Sequence, residues 1–167
     1  MMRSFDRLAA QHGVEKIKTI GDCYMAVAGV PEQVFDHAAR MARMALAMRD
    51  VADATALRAG IDLSLRIGIA SGPLMAGVIG ARKFTYDVWG DPVNLAARLE
   101  STGEPGRIHV AAETRAKLVG AFDLAYRGAI DIKGVGPQET YFLIGLKSPD
   151  PTSFDPKESG RSPAAAA

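Results

Sequence analysis

The sequence predicts a single α+β domain in which helices pack against a sheet rich in antiparallel strands. Apolar residues recur at three- and four-residue steps in some stretches, as they do in helices, and alternate with polar residues in others, as they do in half-buried strands. Glycine-containing turn signals separate the strand-like runs. At 167 residues the chain can bury one sizeable core and is too short for two ordinary domains.

The first half predicts, in order, a helix, a hairpin and a long helix. Gly13 is placed to end the first helix. Gly21-Asp22 is a two-residue turn signal, and Pro31 closes the second strand-like run. The predicted elements are a helix over 2–12, strands over 14–20 and 23–30, and an amphipathic helix over 33–54.

The second half predicts further strands with two shorter helices. Asp91-Pro92 caps one helix, since Asp suits an N-cap and Pro the first turn. From Ser148 onward Pro, Ser, Asp and a closing Ala run replace any periodicity, so we expect a domain over 1–147 and a disordered tail over 148–167. The predicted strands cover 63–69, 74–79, 83–89, 107–110, 122–126 and 139–144, and the helices 91–101 and 111–119.

Composition excludes several partners. The net charge of +1 gives no global field toward nucleic acid or anionic lipid, and the chain lacks the basic groove and paired strand aromatics of an RNA-binding domain. A single cysteine, Cys23, cannot form an internal disulfide, which favours a reducing cytoplasmic setting. No apolar run is long enough to span a bilayer, so we expect a cytoplasmic protein or the cytoplasmic domain of a longer one.

Polar residues with candidate chemistry occur first in the segment EKIKTIGD. Lys16 and Lys18 share one strand face, and Asp22 lies in the turn just beyond. Solubility explains exposed lysines on a strand, and backbone capping explains an Asp in a turn. By itself, therefore, this segment does not decide between a structural and a functional role.

The segment RKFTYDVWGDPVNLAARLE is more informative. Asn94 and Arg98 lie four residues apart on one helix face, near an N-terminus that favours anions. Asp87 lies on the preceding strand end, and Arg82 with Lys83 adds positive charge at the corner before it. Spacing alone leaves a phosphate site and an ordinary surface helix as equal alternatives.

Two Gly-rich segments are candidates for phosphate loops. IDIKGVG presents Lys133 from a turn and suits either a phosphate-gripping loop or a plain hairpin. GIASGPLMAGVIG lacks the Lys-Ser/Thr ending of a P-loop and the dinucleotide spacing, which indicates turns between strands.

Taken together and in order, EKIKTIGDCYMAVAGVP, LRIGIASGPLMAGVIG, RKFTYDVWGDPVNLAARLEST and IKGVG resemble class III nucleotide cyclases, the adenylyl and guanylyl cyclase family, from about Phe5 to Gly145. The resemblance implies a ferredoxin-like fold and a head-to-tail homodimer with active sites shared between subunits. It also implies that Lys18 and Asp87 read the purine. Adenine presents an acceptor at N1 and a donor at N6, so a Lys and a carboxylate together favour ATP.

The resemblance implies roles for the other candidates. Asn94 would orient the ribose and Arg98 would stabilise charge on the α-phosphoryl oxygens, both as catalytic residues. Lys133 and Arg82 would hold the departing pyrophosphate. Asp22 would be a ligand to two Mg²⁺ or Mn²⁺ ions. The expected function is conversion of ATP to cyclic AMP and pyrophosphate in cyclic nucleotide signalling.

One family feature has no counterpart in the chain. The family holds its metals with two aspartates, and the first lies on an opening strand in a stretch resembling FADIVGFT, which does not occur before Lys18. We therefore expect the first strand of the fold to be missing and cyclase activity of this chain alone to be impaired. The alternative function is a catalytically impaired module for dimerisation or nucleotide binding.

Overall fold

The computed structural model describes residues 1–80, 82–132 and 136–148. In these ranges helices and strands mix as the sequence predicts. The elements are α1 (Met2–His12), β1 (Glu15–Ile20), β2 (Cys23–Val27), α2 (His37–Ala59), β3 (Ile67–Ile69), β4 (Met75–Ile79), β5 (Thr85–Trp89), α3 (Asp91–Ser101), β6 (Ile108–Ala111), α4 (Ala112–Leu118), β7 (Phe122–Ile132) and β8 (Gly136–Leu146). The α+β class is confirmed.

The strands form one four-stranded sheet and two separate hairpins. The sheet has the order β3-β6-β8-β7, in which β3 and β6 are parallel and the other neighbours antiparallel. The hairpins pair β1 with β2 and β4 with β5. Both candidate base-reading residues lie on hairpins, with Lys18 opposite Met25 and Asp87 opposite Gly77.

A core between the sheet and α2 holds the domain together. Small residues of α2 pack against the sheet, which lets the helix approach closely. A second cluster joins α1, α2 and the β1–β2 hairpin through Ala9, Val14 and Met44. The fully enclosed members of the first cluster are Ala38, Ala42, Ala45, Ile69, Ile108, Val110, Leu118, Phe122 and Leu143.

Several predicted boundaries are wrong, for physical reasons that the structure shows. The long helix begins at His37, with Asp36 as N-cap, and continues to Ala59 because no breaker interrupts it before Gly60, which adopts φ 62°. The predicted strand 63–69 pairs only over Ile67–Ile69. Strands β7 and β8 run longer than predicted because each supplies the other's hydrogen-bonding partners along nearly its whole length.

Two further findings bear on the sequence predictions. The predicted tail lies, from residue 149 onward, outside the described residues. Over the parts of the chain that the structure describes, no helix has both the length and the apolar character needed to cross a membrane.

Candidate active site

The structure brings Lys18 and Asp87 together, although 69 positions separate them in the sequence. Lys18 Nζ, on β1, donates to Asp87 Oδ2, on β5, at 2.5 Å. The other carboxylate oxygen, Oδ1, accepts the backbone N–H of Val88 at 2.9 Å. The Asp87 side chain is 12% exposed and that of Lys18 is 37% exposed, so the pair lies at the edge of the protein interior and faces solvent on one side.

The electrostatics of this pair fix its protonation state. The hydrogen bond from Lys18 and the backbone N–H of Val88 lower the pKa of Asp87, and partial burial opposes them only weakly. Asp87 is therefore an ionised carboxylate that accepts hydrogen bonds, beside an ammonium group that donates them. A ligand edge with one acceptor next to one donor matches this arrangement.

Strand β5 leads directly into α3 through a tight turn at Gly90. Gly90 has φ 141°, and a Cβ there would come within 3.1 Å of the Pro73 carbonyl oxygen, so the turn needs glycine. Gly90 is also the N-cap of α3 and makes no side-chain cap bond. The expectation that Asp91 caps the helix is thus corrected: Asp91 and Pro92 occupy the first turn, because the sharp turn at Gly90 precedes them.

Helix α3 carries Asn94 and Arg98 on its exposed face. The next residue, Leu99, points away from that face and is completely buried. The helix therefore presents both predicted catalytic residues to solvent, one turn apart, a few residues after Asp87 in the chain.

The remaining predicted site residues lie at hairpin ends or outside the described chain. Asp22 is exposed in the turn between β1 and β2, where Gly21 adopts φ 62°. Arg82 is exposed between β4 and β5. Lys133 lies outside the described residues. Among the predicted site residues that the structure describes, Lys18 and Asp87 are the one pair joined by a hydrogen bond.

The described residues fit the predicted metal pair poorly. Within residues 1–80, 82–132 and 136–148 no three His, Cys, Asp or Glu side chains form a group that could hold a metal ion. Asp22 offers one exposed carboxylate, whereas Mg²⁺ takes six oxygen ligands and keeps its waters unless several protein oxygens converge. Asp22 therefore remains a candidate for one ligand position and cannot by itself complete a site for two ions.

Comparison with known proteins identifies the family. Residues 1–145 match the family model described as the adenylate and guanylate cyclase catalytic domain. The chain belongs to this family. Its relatives include an adenylate cyclase of Mycobacterium tuberculosis (strain ATCC 25618 / H37Rv), 49% identical over 144 residues, or 86% of this chain and 32% of that protein. The human guanylate cyclase soluble subunit beta-2 is 44% identical over 146 residues, or 86% of this chain and 24% of that protein.

Solved structures agree with this assignment. The guanylate cyclase domain of RhGC from Catenaria anguillulae, in complex with GTP, superposes with a TM-score of 0.81 at 37% identity, covering 87% of this chain and 80% of that one. The adenylyl cyclase CyaB from P. aeruginosa gives a TM-score of 0.81 at 28% identity, covering 87% and 79%. The cyclase fold is confirmed. Since the two neighbours are named for different purines, the choice of purine must come from individual side chains.

The structure also reveals two residues that the sequence did not single out. His109, on β6, and Arg127, on β7, bond to each other and to the C-terminal end of α3. A lone His in an apolar strand resembles an ordinary core residue, and nothing in its sequence neighbourhood indicates a contact with α3.

Proposed function

We propose that this cyclase domain converts ATP to 3′,5′-cyclic AMP and pyrophosphate, as the catalytic part of a cyclic nucleotide signalling protein. The chain spans about a third or less of the curated relatives it matches, so the proposal concerns the domain. The observation that supports it is the Lys18–Asp87 ion pair, which sets a hydrogen-bond donor beside an acceptor.

The hydrogen-bonding edge of the purine ring is the part of the nucleotide by which Lys18 and Asp87 would distinguish ATP from GTP. Lys18 would donate to adenine N1, and Asp87 would accept from the N6 amine. Guanine presents the reverse pattern, so its N1–H would face the ammonium and its O6 would face the carboxylate. Each mismatched group costs about 1–3 kcal/mol, and since the pair is partly exposed we expect a preference for ATP of at least about tenfold.

The residues of α3 then act on the ribose and the phosphates. Asn94 orients the ribose so that its 3′-oxygen faces the α-phosphorus. As the new bond from the 3′-oxygen forms, the bond from the α-phosphorus to the β-phosphate oxygen breaks, and the hydroxyl proton passes to solvent. Arg98 stabilises the charge that builds on the α-phosphoryl oxygens, and Arg82 with Lys133 holds the departing pyrophosphate.

The proposal includes a divalent metal ion because Asp22 could serve as one of its ligands. Bound Mg²⁺ or Mn²⁺ would activate the 3′-hydroxyl and neutralise the triphosphate. Asp22 would supply one ligand, and its exposed position at the end of the β1–β2 hairpin leaves room for a hydrated ion.

The functional form we propose is a head-to-tail homodimer with shared sites. The β4–β5 hairpin supports a second copy as partner because it stands apart from the main sheet and exposes large apolar side chains. Among the solved relatives, the guanylyl cyclase domain of the RhoGC fusion protein from Blastocladiella emersonii is known both as a non-canonical dimer and as a monomer, so the dimer proposed for this chain is supported by its own hairpin. Exposed apolar residues of the hairpin include Met75 (71%), Val78 (65%) and Phe84 (74%).

The test compares binding of ATP and GTP analogues that cannot be cleaved between the α- and β-phosphorus, by calorimetry, and formation of cyclic AMP and cyclic GTP from ATP and GTP with Mg²⁺ or Mn²⁺. The variant Lys18→Glu/Asp87→Asn reverses the donor and acceptor, so we expect it to lose the preference for ATP. Lys16→Glu is the control for the Lys18 half of the variant: it makes the same Lys→Glu change on the same strand, where Lys16 pairs with Asp6.

We expect the unchanged chain and the Lys16→Glu control to prefer ATP. Equal or tighter binding of the GTP analogue by the unchanged chain would refute the proposed reading of the purine. Tight ATP binding without any cyclic AMP formation would instead favour a nucleotide-binding module that does not turn its ligand over.

A further inference from the structure

A buried histidine and a partly buried arginine form a pair behind α3, on the side away from Asn94 and Arg98. His109 is 0% exposed. Its Nδ1 lies 2.9 Å from the Leu99 carbonyl oxygen, and its Nε2 lies 3.2 Å from Arg127 Nη1. The other guanidinium nitrogen, Nη2, donates to the Thr102 carbonyl oxygen at 2.8 Å. Two side chains of the sheet thus contact two backbone carbonyls, those of Leu99 and Thr102, at the C-terminal end of α3.

The partners of His109 fix its tautomer. A carbonyl oxygen only accepts, so Nδ1 must carry the hydrogen; a guanidinium only donates, so Nε2 must be bare. His109 is therefore neutral, and both ring nitrogens have partners. Burial lowers the pKa of His109, and the nearby positive charge of Arg127 lowers it further, which agrees with the neutral form.

Arg127 is held in turn by its own surroundings. Its guanidinium lies over the ring of Phe142, with its carbon 5.5 Å from the ring centroid, and its Nε lies 3.9 Å from a Glu104 carboxylate oxygen. The side chain of Arg127 has only 18% exposure. A planar group that is packed against an aromatic ring and bonded through two of its donors has little freedom, so it can set the position of the groups that it bonds to.

The carbonyls that these residues hold belong to the turn that bears Arg98. Leu99 follows Arg98 directly, and Thr102 is the C-cap of α3. The last carbonyls of a helix have no partner within the helix, so the end of a helix normally frays. Here His109 and Arg127 supply the missing donors from the sheet.

We propose that His109 and Arg127 are positioning residues that fix the Arg98 guanidinium for its role at the α-phosphate, acting through the backbone of α3. The inference rests on the proposed function of Arg98. A displacement of about 1 Å in a group that stabilises a transition state can cost about a hundredfold in rate. Loss of the His109 contact should therefore lower kcat far more than it alters nucleotide binding.

Two substitutions separate the contacts of His109. His109→Asn keeps an N–H donor near the Nδ1 position, facing Leu99, and loses the acceptor for Arg127. His109→Gln reaches toward Arg127 and loses the bond to Leu99. Arg127→Lys keeps the positive charge but cannot donate to His109 and Thr102 together. Each variant is combined with Arg98→Ala, and Leu118→Ala, a buried change in α4, is the control for lost stability.

The measurements are kcat, KM, and affinity for an ATP analogue that cannot be cleaved between the α- and β-phosphorus and for adenosine, well below every melting temperature. We expect His109→Gln to lower kcat at least about tenfold with KM changed less than about threefold. His109→Asn and Arg127→Lys should cost less. Affinity for adenosine should not change, whereas affinity for the ATP analogue should fall about twofold, since Arg98 would contact phosphate only. In the Arg98→Ala background, where no turnover is expected, the substitutions should have no further effect on affinity for the ATP analogue.

The inference is overturned if the His109 and Arg127 variants keep the kcat and ATP-analogue affinity of the unchanged chain. It is also overturned if their losses of ATP-analogue affinity are as large without Arg98 as with it, or if Leu118→Ala produces the same pattern. If the unchanged chain binds the ATP analogue but forms no cyclic AMP from ATP, the affinity comparison decides alone. If it does not bind the analogue, the proposed function fails and this inference with it.

Discussion

Gly68→Ala tests how closely α3 must pack against the sheet. Gly68 lies on β3, beneath α3, and a Cβ there would come 2.1 Å from the Ala96 carbonyl oxygen and 2.6 Å from the Glu100 backbone nitrogen. These distances are about 1 Å or more short of van der Waals contact, and both partners are backbone atoms that cannot rotate away. The whole helix must move, carrying Asn94 and Arg98 with it.

The magnitude follows from the required shift. Overpacking of this kind lowers the free energy of unfolding by about 1–3 kcal/mol. For a domain of this size each kcal/mol corresponds to a fall in Tm of about 2–4 °C. A displacement of Arg98 by about 1 Å should in addition lower kcat by about a hundredfold. The effect on turnover should therefore exceed anything that the lost stability explains at room temperature.

The assay pairs thermal unfolding with turnover and ATP-analogue affinity. Gly145→Ala is the matched control, since a Cβ on Gly145 meets nothing within 4 Å. It should change stability by less than about 0.5 kcal/mol. The reasoning is refuted if Gly68→Ala has the melting temperature and nucleotide properties of the control, because α3 would then have room that the structure does not give it.

Two further predictions concern the dimer and the pH dependence of stability. In a longer form of the protein that carries the opening strand expected from the family, Asp22→Ala and Arg98→Ala should each abolish turnover as homodimers, and mixing them should restore activity through one intact hybrid site; verified heterodimers without activity would contradict shared sites. The pKa of His109 lies below its usual value of 6.5, with Leu99, Arg127 and Glu104 as its polar and charged neighbours. The unfolded chain therefore binds this proton first, and the free energy of unfolding should fall as pH drops below about 6.5, before the carboxylates titrate. His109→Asn should remove this slope in denaturant titrations, and an unchanged slope would contradict the assignment.

The elements of the fold were largely predictable from sequence. Periodicity placed α1, the β1–β2 hairpin, the strands β4 and β5, and α3, because these segments carry their own apolar faces and turn residues. Periodicity failed to give the length of strands whose extent depends on pairing with a distant strand. Whether residues 63–66 join a ladder depends on β6, and the length of β7 depends on β8, so neither could be read locally.

In the candidate site, too, some residues were predictable from local sequence and others only from tertiary packing. The residues near one another in the chain, Asn94 and Arg98, were placed on one helix face by spacing alone, and the motif order indicated the family. The sequence could name Lys18 and Asp87 as candidates, but it could pair them only through the resemblance. The tertiary structure joins them, 69 positions apart, and brings His109 and Arg127 to the end of α3. Sequence periodicity reports which face of an element is buried, whereas the identity of the partner across that face depends on how distant elements pack.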